Sequence, residues 1–302
     1  MVTVDRGRYG CLLSGGQLVT AMKARELGRN SVVVGDRVAL AGDTSGAAGS
    51  LARIVRVEER TSALRRSPDD TDPMERIVVA NAEQMLIVSA LADPAPKTRF
   101  IDRCLVAAYD AGLDPILVLT KSDLASPRKI RAFYTPLDLP MVTTRQPLPA
   151  VTMSRLRKIV QGKISVCIGQ SGVGKSTLVN GLIPDAARAV GHVNAVTGKG
   201  RHTSSSAIAL ALPSSPPSRS ALPGSAGWLI DTPGVRGFGL GHVSLQRVVE
   251  AFGDLAEGAA ACPPGCDHVS ADCGLDEWAA SHDAGPRLDS LRRLLHNRES
   301  AD

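Results

Sequence analysis

The 302-residue sequence predicts a multidomain α/β protein, and three patterns carry that expectation. Short apolar runs broken by Gly-rich turns fill the chain up to about residue 66. Apolar strands then alternate with helix-like stretches from Arg76 to about Phe252. A cluster of cysteines and one histidine follows, and after it comes an amphipathic stretch.

In the first region, Ser31-Val32-Val33-Val34 and Arg53-Ile54-Val55-Arg56-Val57 are separated by turns such as Ser14-Gly15-Gly16 and the glycines between 42 and 49. This spacing suits a small all-β domain, placed at 1–72. Pattern alone does not separate a barrel from a sandwich, and a five-stranded barrel of the oligonucleotide-binding type fits the length. The polar run Ser67-Pro68-Asp69-Asp70-Thr71-Asp72-Pro73 reads as a linker.

The central region, 73–252, reads strand at Gln84 to Ala90, helix at Arg99 to Ala111, strand at Pro115 to Leu119, helix at Met153 to Val160 and strand at Ile164 to Ile168. That alternation is the mark of a parallel sheet flanked by helices. A Pro/Ser-rich stretch from Pro213 to Gly224 interrupts it and reads as a surface loop. The last region, 253–302, is expected to be a small domain. It ends in a helix from Arg287 to Asn297 with Leu288, Leu291, Leu294 and Leu295 on one face.

Composition narrows the function. Lys and Arg outnumber Asp and Glu by 35 to 30, a formal charge of +5 that favours a polyanionic partner, and only 3% aromatic residues disfavours a base-stacking surface. The acidic Asp5 with no apolar core after it fails as a secretory signal, and no apolar run is long enough to span a bilayer. A cytoplasmic protein with no membrane contact is expected. Cys11, Cys104 and Cys167 stand among apolar neighbours and read as core residues. His242, His282 and His296 read as surface residues.

Gly169-Gln170-Ser171-Gly172-Val173-Gly174-Lys175-Ser176 satisfies the phosphate-loop pattern, with the apolar strand Ile164 to Ile168 before it and the helix-like Thr177 to Leu182 after it. Its glycines let successive backbone N–H groups turn inward on phosphate oxygens. Lys175 would pair with the outer phosphates and Ser176 would ligate magnesium; Thr177 is counted with the nucleotide contacts. A second strand ends in Asp231-Thr232-Pro233-Gly234, where Asp231 suits the magnesium shell and the Gly234 amide suits the terminal phosphate. Thr120-Lys121-Ser122-Asp123 closes a third strand. A carboxylate at Asp123 can accept from both N1–H and the exocyclic amine of guanine, whereas adenine presents an acceptor there. Taken alone, that tetrapeptide also fits a polar turn.

Cys262, Cys266, His268 and Cys273 give Cys-x3-Cys-x-His-x4-Cys. Three thiolates and one imidazole suit a tetrahedral structural zinc site with no open position.

With Thr120 to Asp123 upstream of the phosphate loop and Asp231 to Gly234 last, the motif order resembles that of the circularly permuted GTPases. Gly198-Lys199-Gly200-Arg201-His202-Thr203, Asp231-Thr232-Pro233-Gly234-Val235-Arg236 and the terminal Cys/His cluster extend the likeness. So do Val34-Gly35-Asp36-Arg37-Val38 and the segment Glu59 to Arg66. Together they resemble the RsgA (YjeQ, EngC) family of ribosome-associated GTPases over nearly the whole chain. That resemblance implies an oligonucleotide-binding barrel, a permuted GTPase domain and a zinc-binding C-terminal domain. It further implies binding of GTP and GDP, and action with the small ribosomal subunit and its rRNA late in assembly. The chain departs from the commoner Asn-Lys-x-Asp at Thr120, whose hydroxyl lacks a carboxamide's pairing capacity. Val235 stands where Ras-like enzymes carry a water-orienting glutamine. His202 is the expected substitute and Thr203 the second magnesium ligand. The alternative for His202 is contact with RNA or solvent. The protein is expected to act as a monomer with slow intrinsic turnover.

Overall fold

From the N-terminus, β1 (Thr3–Asp5), β2 (Arg8–Leu12), β3 (Leu18–Lys23), β4 (Val38–Gly42) and β5 (Ala52–Val57) pair in the order β1-β2-β3-β5-β4, with β3 and β5 parallel. The computed structural model describes residues 1–5, 7–28, 32–67, 75–184, 186, 207–214, 226–232, 239–270 and 273–299. Side chains alternate as a half-buried sheet requires: Val19, Ala21, Ala52 and Ile54 pack with Tyr9 and Cys11, while Met22, Arg53 and Val55 are exposed. Among the described residues no pairing closes β4 onto β1. The run Val32 to Val34, expected as a strand, forms only a single bridge, from Val34 to Val79. The chain turns at once after it, because the Asp36 carboxylate accepts the Val33 amide at 2.8 Å.

The hairpin β6 (Ala63–Arg66) and β7 (Arg76–Ala80) spans the expected boundary at 72/73, so strands on either side of it pair with each other. Ser67 corrects the linker reading at its first residue. It is 1% exposed, its amide donates to Gly239 O at 3.2 Å, and its hydroxyl meets His242 Nδ1 at 3.0 Å. His242 is therefore half-buried in this contact instead of lying free on the surface. Residues 68–74 lie outside the described residues. Nearby, Gly35 at φ +93° packs so closely on Ala80 that a Cβ would lie 1.9 Å from the Ala80 carbonyl oxygen. Arg60 grips the buried Asp36 through two bonds of 2.7 and 2.9 Å. Asn81 ties Thr61 to Gly35. These contacts join the first strands to the β6–β7 hairpin and to the turn that leads from it into the central sheet.

The remaining strands are β8 (Gln84–Ala90), β9 (Asp114–Thr120), β10 (Met141–Thr143), β11 (Ile164–Gly169), β12 (Ile208–Ala211) and β13 (Trp228–Asp231). Helices α1 (Thr98–Asp110), α2 (Arg128–Tyr134), α3 (Ala150–Val160) and α4 (Lys175–Leu182) connect them. Pairing runs β10-β9-β8-β11-β13 in parallel, then β12 antiparallel. β12 pairs in turn with β1, Thr3 opposite Ile208, so the described strands form one eleven-stranded sheet from β10 to β4. β8 and β9 read as near-continuous apolar runs because both faces are covered. Met85, Ile87, Leu117 and Leu119 face α1, while Leu86, Val88, Ile116 and Val118 face α3 and α4.

After β13 come α5 (Leu245–Glu250), α6 (Gly253–Ala259), α7 (Leu275–Ser281) and α8 (Gly285–Glu299). All four leucines expected on one face of the last helix are buried. They extend the core on the α1 side of the sheet. Trp278 lies against Gly258, where a Cβ would stand 2.3 Å from the indole ring, and its Nε1 donates to Asp254 O. Cys11, Cys104 and Cys167 are buried as expected, and burial pushes the Cys11 and Cys167 thiols up to about 11 and about 12. They are inert packing groups at neutral pH. No described helix is long and apolar enough to cross a membrane.

Candidate nucleotide site and metal centre

Because β8, β9, β11 and β13 are parallel, their C-terminal ends share one edge of the sheet, the usual position for a ligand in such folds. Thr120, Gly169 and Asp231 each stand at a strand end on that edge.

Gly169 closes β11. A Cβ there would meet Val88 O at 2.8 Å and Val173 Cγ2 at 2.9 Å, so the loop can fold back only over a hydrogen. Gly172 and Gly174 take φ of +79° and +89°, which turns the loop into α4. No side chain caps α4, which leaves its first amides for an anion. Gln170, Ser171 and Ser176 lie on this loop and at the helix start, with Gln170 half-buried and Ser171 and Ser176 exposed. Thr177 follows in the first turn of α4 and is exposed. Lys175 Nζ ion-pairs with Asp231 Oδ1, bringing together two residues that stand 56 apart in the chain.

The buried hydroxyl of Thr120 donates to the carbonyl of Val173 at 2.6 Å. A single donor thus ties the Thr120 to Asp123 segment to the Gly169 to Ser176 loop, and the lack of a carboxamide at this position leaves that link intact. Lys121, at φ +58°, turns the chain and donates from Nζ to the Asp93 carbonyl. Asp123 is exposed, with Oδ1 accepting the Gln146 amide at 3.2 Å, and the Ser122 amide donates to Thr144 O at 3.1 Å. Loops 91–97 and 144–146 were not singled out in the sequence. The prolines at 94, 96 and 147 are the signals the sequence offers for them. His202, Thr203 and Gly234, with Lys199, Arg201 and Val235, lie outside the described residues.

At the other functional cluster, one ligand atom each from Cys262, Cys266, His268 and Cys273 fall within 4.8 Å of one another. Cys273 Sγ stands 3.8 Å from Cys262 Sγ and 3.8 Å from His268 Nδ1. Gly265 and His268, at φ +79° and +60°, turn the chain tightly enough to present them. Arg292 Nε donates to the His268 carbonyl at 3.1 Å, and Asp267 accepts the amides of Val269 and Ser270. The Ser270 hydroxyl and these amides hold the Asp267 carboxyl down at about 2. Burial pushes the Cys273 thiol up to about 11, and a bound metal cation would favour its thiolate. The cluster can hold a metal ion.

A phosphate loop, a carboxylate-bearing guanine-type motif tied to it and an acidic strand end, with the base motif first in the chain, define a circularly permuted P-loop GTPase. Residues 57–241 match the family model for the RsgA GTPase. The "Small ribosomal subunit biogenesis GTPase RsgA" of Shewanella oneidensis is 36% identical over 293 residues, 90% of this chain and 78% of that protein. The protein of the same name from Pseudomonas aeruginosa LESB58 is 36% identical over 228 residues, covering 74% of this chain and 62% of its own. The crystal structure of YjeQ from Thermotoga maritima superposes with a TM-score of 0.70 at 23% identity, covering 98% of this chain and 96% of that one, which shows a shared fold. The chain belongs to the RsgA GTPase family and is a GTP hydrolase.

Proposed function

We propose that this GTPase is guanine-selective, turns over slowly alone and serves late maturation of the small ribosomal subunit, binding rRNA and accelerated by the subunit. The observation that carries the site assignment is the Thr120 to Val173 bond, which couples base recognition to phosphate binding. The relatives' names support the assembly role. Asp123 would read guanine, Lys121 would lie beside it, and the amides from Gly169 to Thr177 would surround the phosphates with Lys175 as their counter-charge. Magnesium, held by Ser176 and Thr203 with Asp231 in its shell and Gly234 beside the terminal phosphate, would supply charge neutralisation for phosphoryl transfer. His202 would orient the attacking water, since Val235 cannot.

The metal reading is structural zinc. Tetrahedral zinc with Zn–S of about 2.3 Å demands sulfur pairs about 3.8 Å apart, and the 3.8 Å between Cys262 and Cys273 supports it. For the N-terminal strands, an oligonucleotide-binding barrel is supported by the β1-β2-β3-β5-β4 path with its parallel β3–β5 pair. We divide the chain into domains at 1–72, 73–252 and 253–302, with the β6–β7 hairpin crossing the first boundary, and take it to work as a cytoplasmic monomer.

Turnover of GTP and of ATP, with and without purified small subunits, tests this. Stimulated GTP hydrolysis and negligible ATP hydrolysis are expected. Lack of stimulation would favour a binding switch, and equal use of ATP would overturn guanine selectivity. His202→Ala should abolish the stimulated rate while leaving GDP binding intact; an unchanged rate would remove its catalytic role.

A further inference from the structure

Arg287 stands in the first turn of α8 and is 3% exposed. Its Nη1 donates to Asp102 on α1 at 3.3 Å and its Nε to Asp254 on α6 at 3.2 Å. The guanidinium carbon lies 4.3 Å from the centre of the Phe252 ring and 5.5 and 5.7 Å from those of Phe133 and Tyr134 at the end of α2. Tyr134 completes the arrangement: its hydroxyl donates to Asp102 Oδ1 at 2.9 Å and reaches Thr98 O, at the start of α1, at 3.2 Å. One cation from the last helix thus braces α1 and α2 against each other.

Those two helices flank the base-reading motif. α2 follows it after a short loop. α1 is entered through residues 91–97, which are fastened to the motif twice: the Leu91 amide donates to Thr120 O at 3.0 Å, and Lys121 Nζ donates to Asp93 O. Pro94 also approaches the phosphate loop, with its Cδ 3.7 Å from where a Gly172 Cβ would stand. A shift of α1 against α2 therefore reaches Thr120 and Lys121 through covalent neighbours and short hydrogen bonds.

We propose that Arg287, acting through Asp102 and Tyr134, is a positioning residue for the base-binding end of the nucleotide site, so that the C-terminal segment sets the affinity for guanine nucleotides. Arg287 touches no nucleotide in this scheme. The inference rests on the reading of Thr120 to Asp123 as the guanine site. Of the two carboxylates that converge on Arg287, Asp102 is fully buried and Asp254 is nearly so, and a buried carboxylate is costly to keep ionised without such a partner. Burial pushes the Asp102 carboxyl up, and Arg287 is the main influence drawing it back down.

The test uses the full chain with Arg287→Met and Tyr134→Phe, measuring competition by GDP, ADP and inorganic pyrophosphate. Tyr134→Phe removes one hydroxyl and keeps the ring, so it remains informative if Arg287→Met fails to fold. Both variants should weaken GDP by about fivefold or more, the scale of one buried hydrogen bond, and pyrophosphate by clearly less, since the phosphate loop is reached only at second hand through Thr120 and Pro94. Unchanged GDP affinity in Tyr134→Phe, or equal weakening of GDP and pyrophosphate, would overturn the proposal. Wild-type protein that does not prefer GDP to ADP would instead remove the guanine-site reading beneath it.

Discussion

Thr120 and Val173 lie 53 positions apart, yet the hydroxyl of one and the carbonyl of the other meet at 2.6 Å in a buried setting. Thr120→Val keeps the shape and removes the donor, leaving the Val173 carbonyl unpaired at a cost of about 1–3 kcal/mol. GDP affinity should fall roughly tenfold, whereas Thr120→Asn, whose amide can donate, should retain most of it. Calorimetric titration of the two variants measures this, and equal affinities in Thr120→Val and wild type would show the bond to be dispensable.

Asp123 is exposed at the sheet edge and held by the Gln146 amide. Asparagine there offers one acceptor and one donor, which matches xanthine's N1–H and O2 and leaves one guanine donor unpaired. Asp123→Asn should weaken GTP by about 100-fold and improve XTP relative to it. Hydrolysis assays with both nucleotides decide the matter; undiminished GTP turnover would contradict the assignment.

For the Cys/His cluster, protein purified without chelator should contain one zinc per chain, and Cys273→Ser should lose it. Removal of metal should also lower the melting temperature, since the surrounding turns have little core of their own. Absence of zinc by elemental analysis would refute the site.

At the joint near Gly35, a methyl group would collide with the Ala80 carbonyl oxygen, at a φ of +93° that L side chains rarely adopt. Gly35→Ala should cost more than about 4 kcal/mol. Arg60→Ala strands the buried Asp36 carboxylate, at about 3–5 kcal/mol, although the Val33 amide remains bonded to it. Denaturant unfolding of both reports the losses, and a change under about 1 kcal/mol in either would mean that the joint relaxes.

Much of this was legible in order and pattern. The central strands announced themselves because burial on both faces makes them continuously apolar, and Gln84 to Ala90 was read to the residue. The phosphate loop and the metal cluster were legible because each packs its chemistry into a few consecutive residues. What stayed hidden depends on distant partners. Nothing local to Arg287 marks it as a buried ion; its burial follows from Asp102, 185 positions earlier. Thr120 looked like a weakened motif because its partner is a backbone carbonyl, which carries no sequence signal. Val32 to Val34 had the composition of a strand, and the turn made by Gly35 and Asp36 overrode it.

The pairing of β1 with β12 has a practical consequence. β12 is the last strand of the central sheet on that side, and Thr3 and its neighbours supply its outer hydrogen-bonding partner, with the Ala209 amide donating to Val2 O at 2.9 Å. The N-terminal segment is thus an edge guard. A fragment cut to begin near residue 73 would keep the phosphate loop but bare a row of unpaired amides and carbonyls along β12, a template for sticking to another sheet. Excising the catalytic domain would trade an intramolecular seam for an aggregating rim.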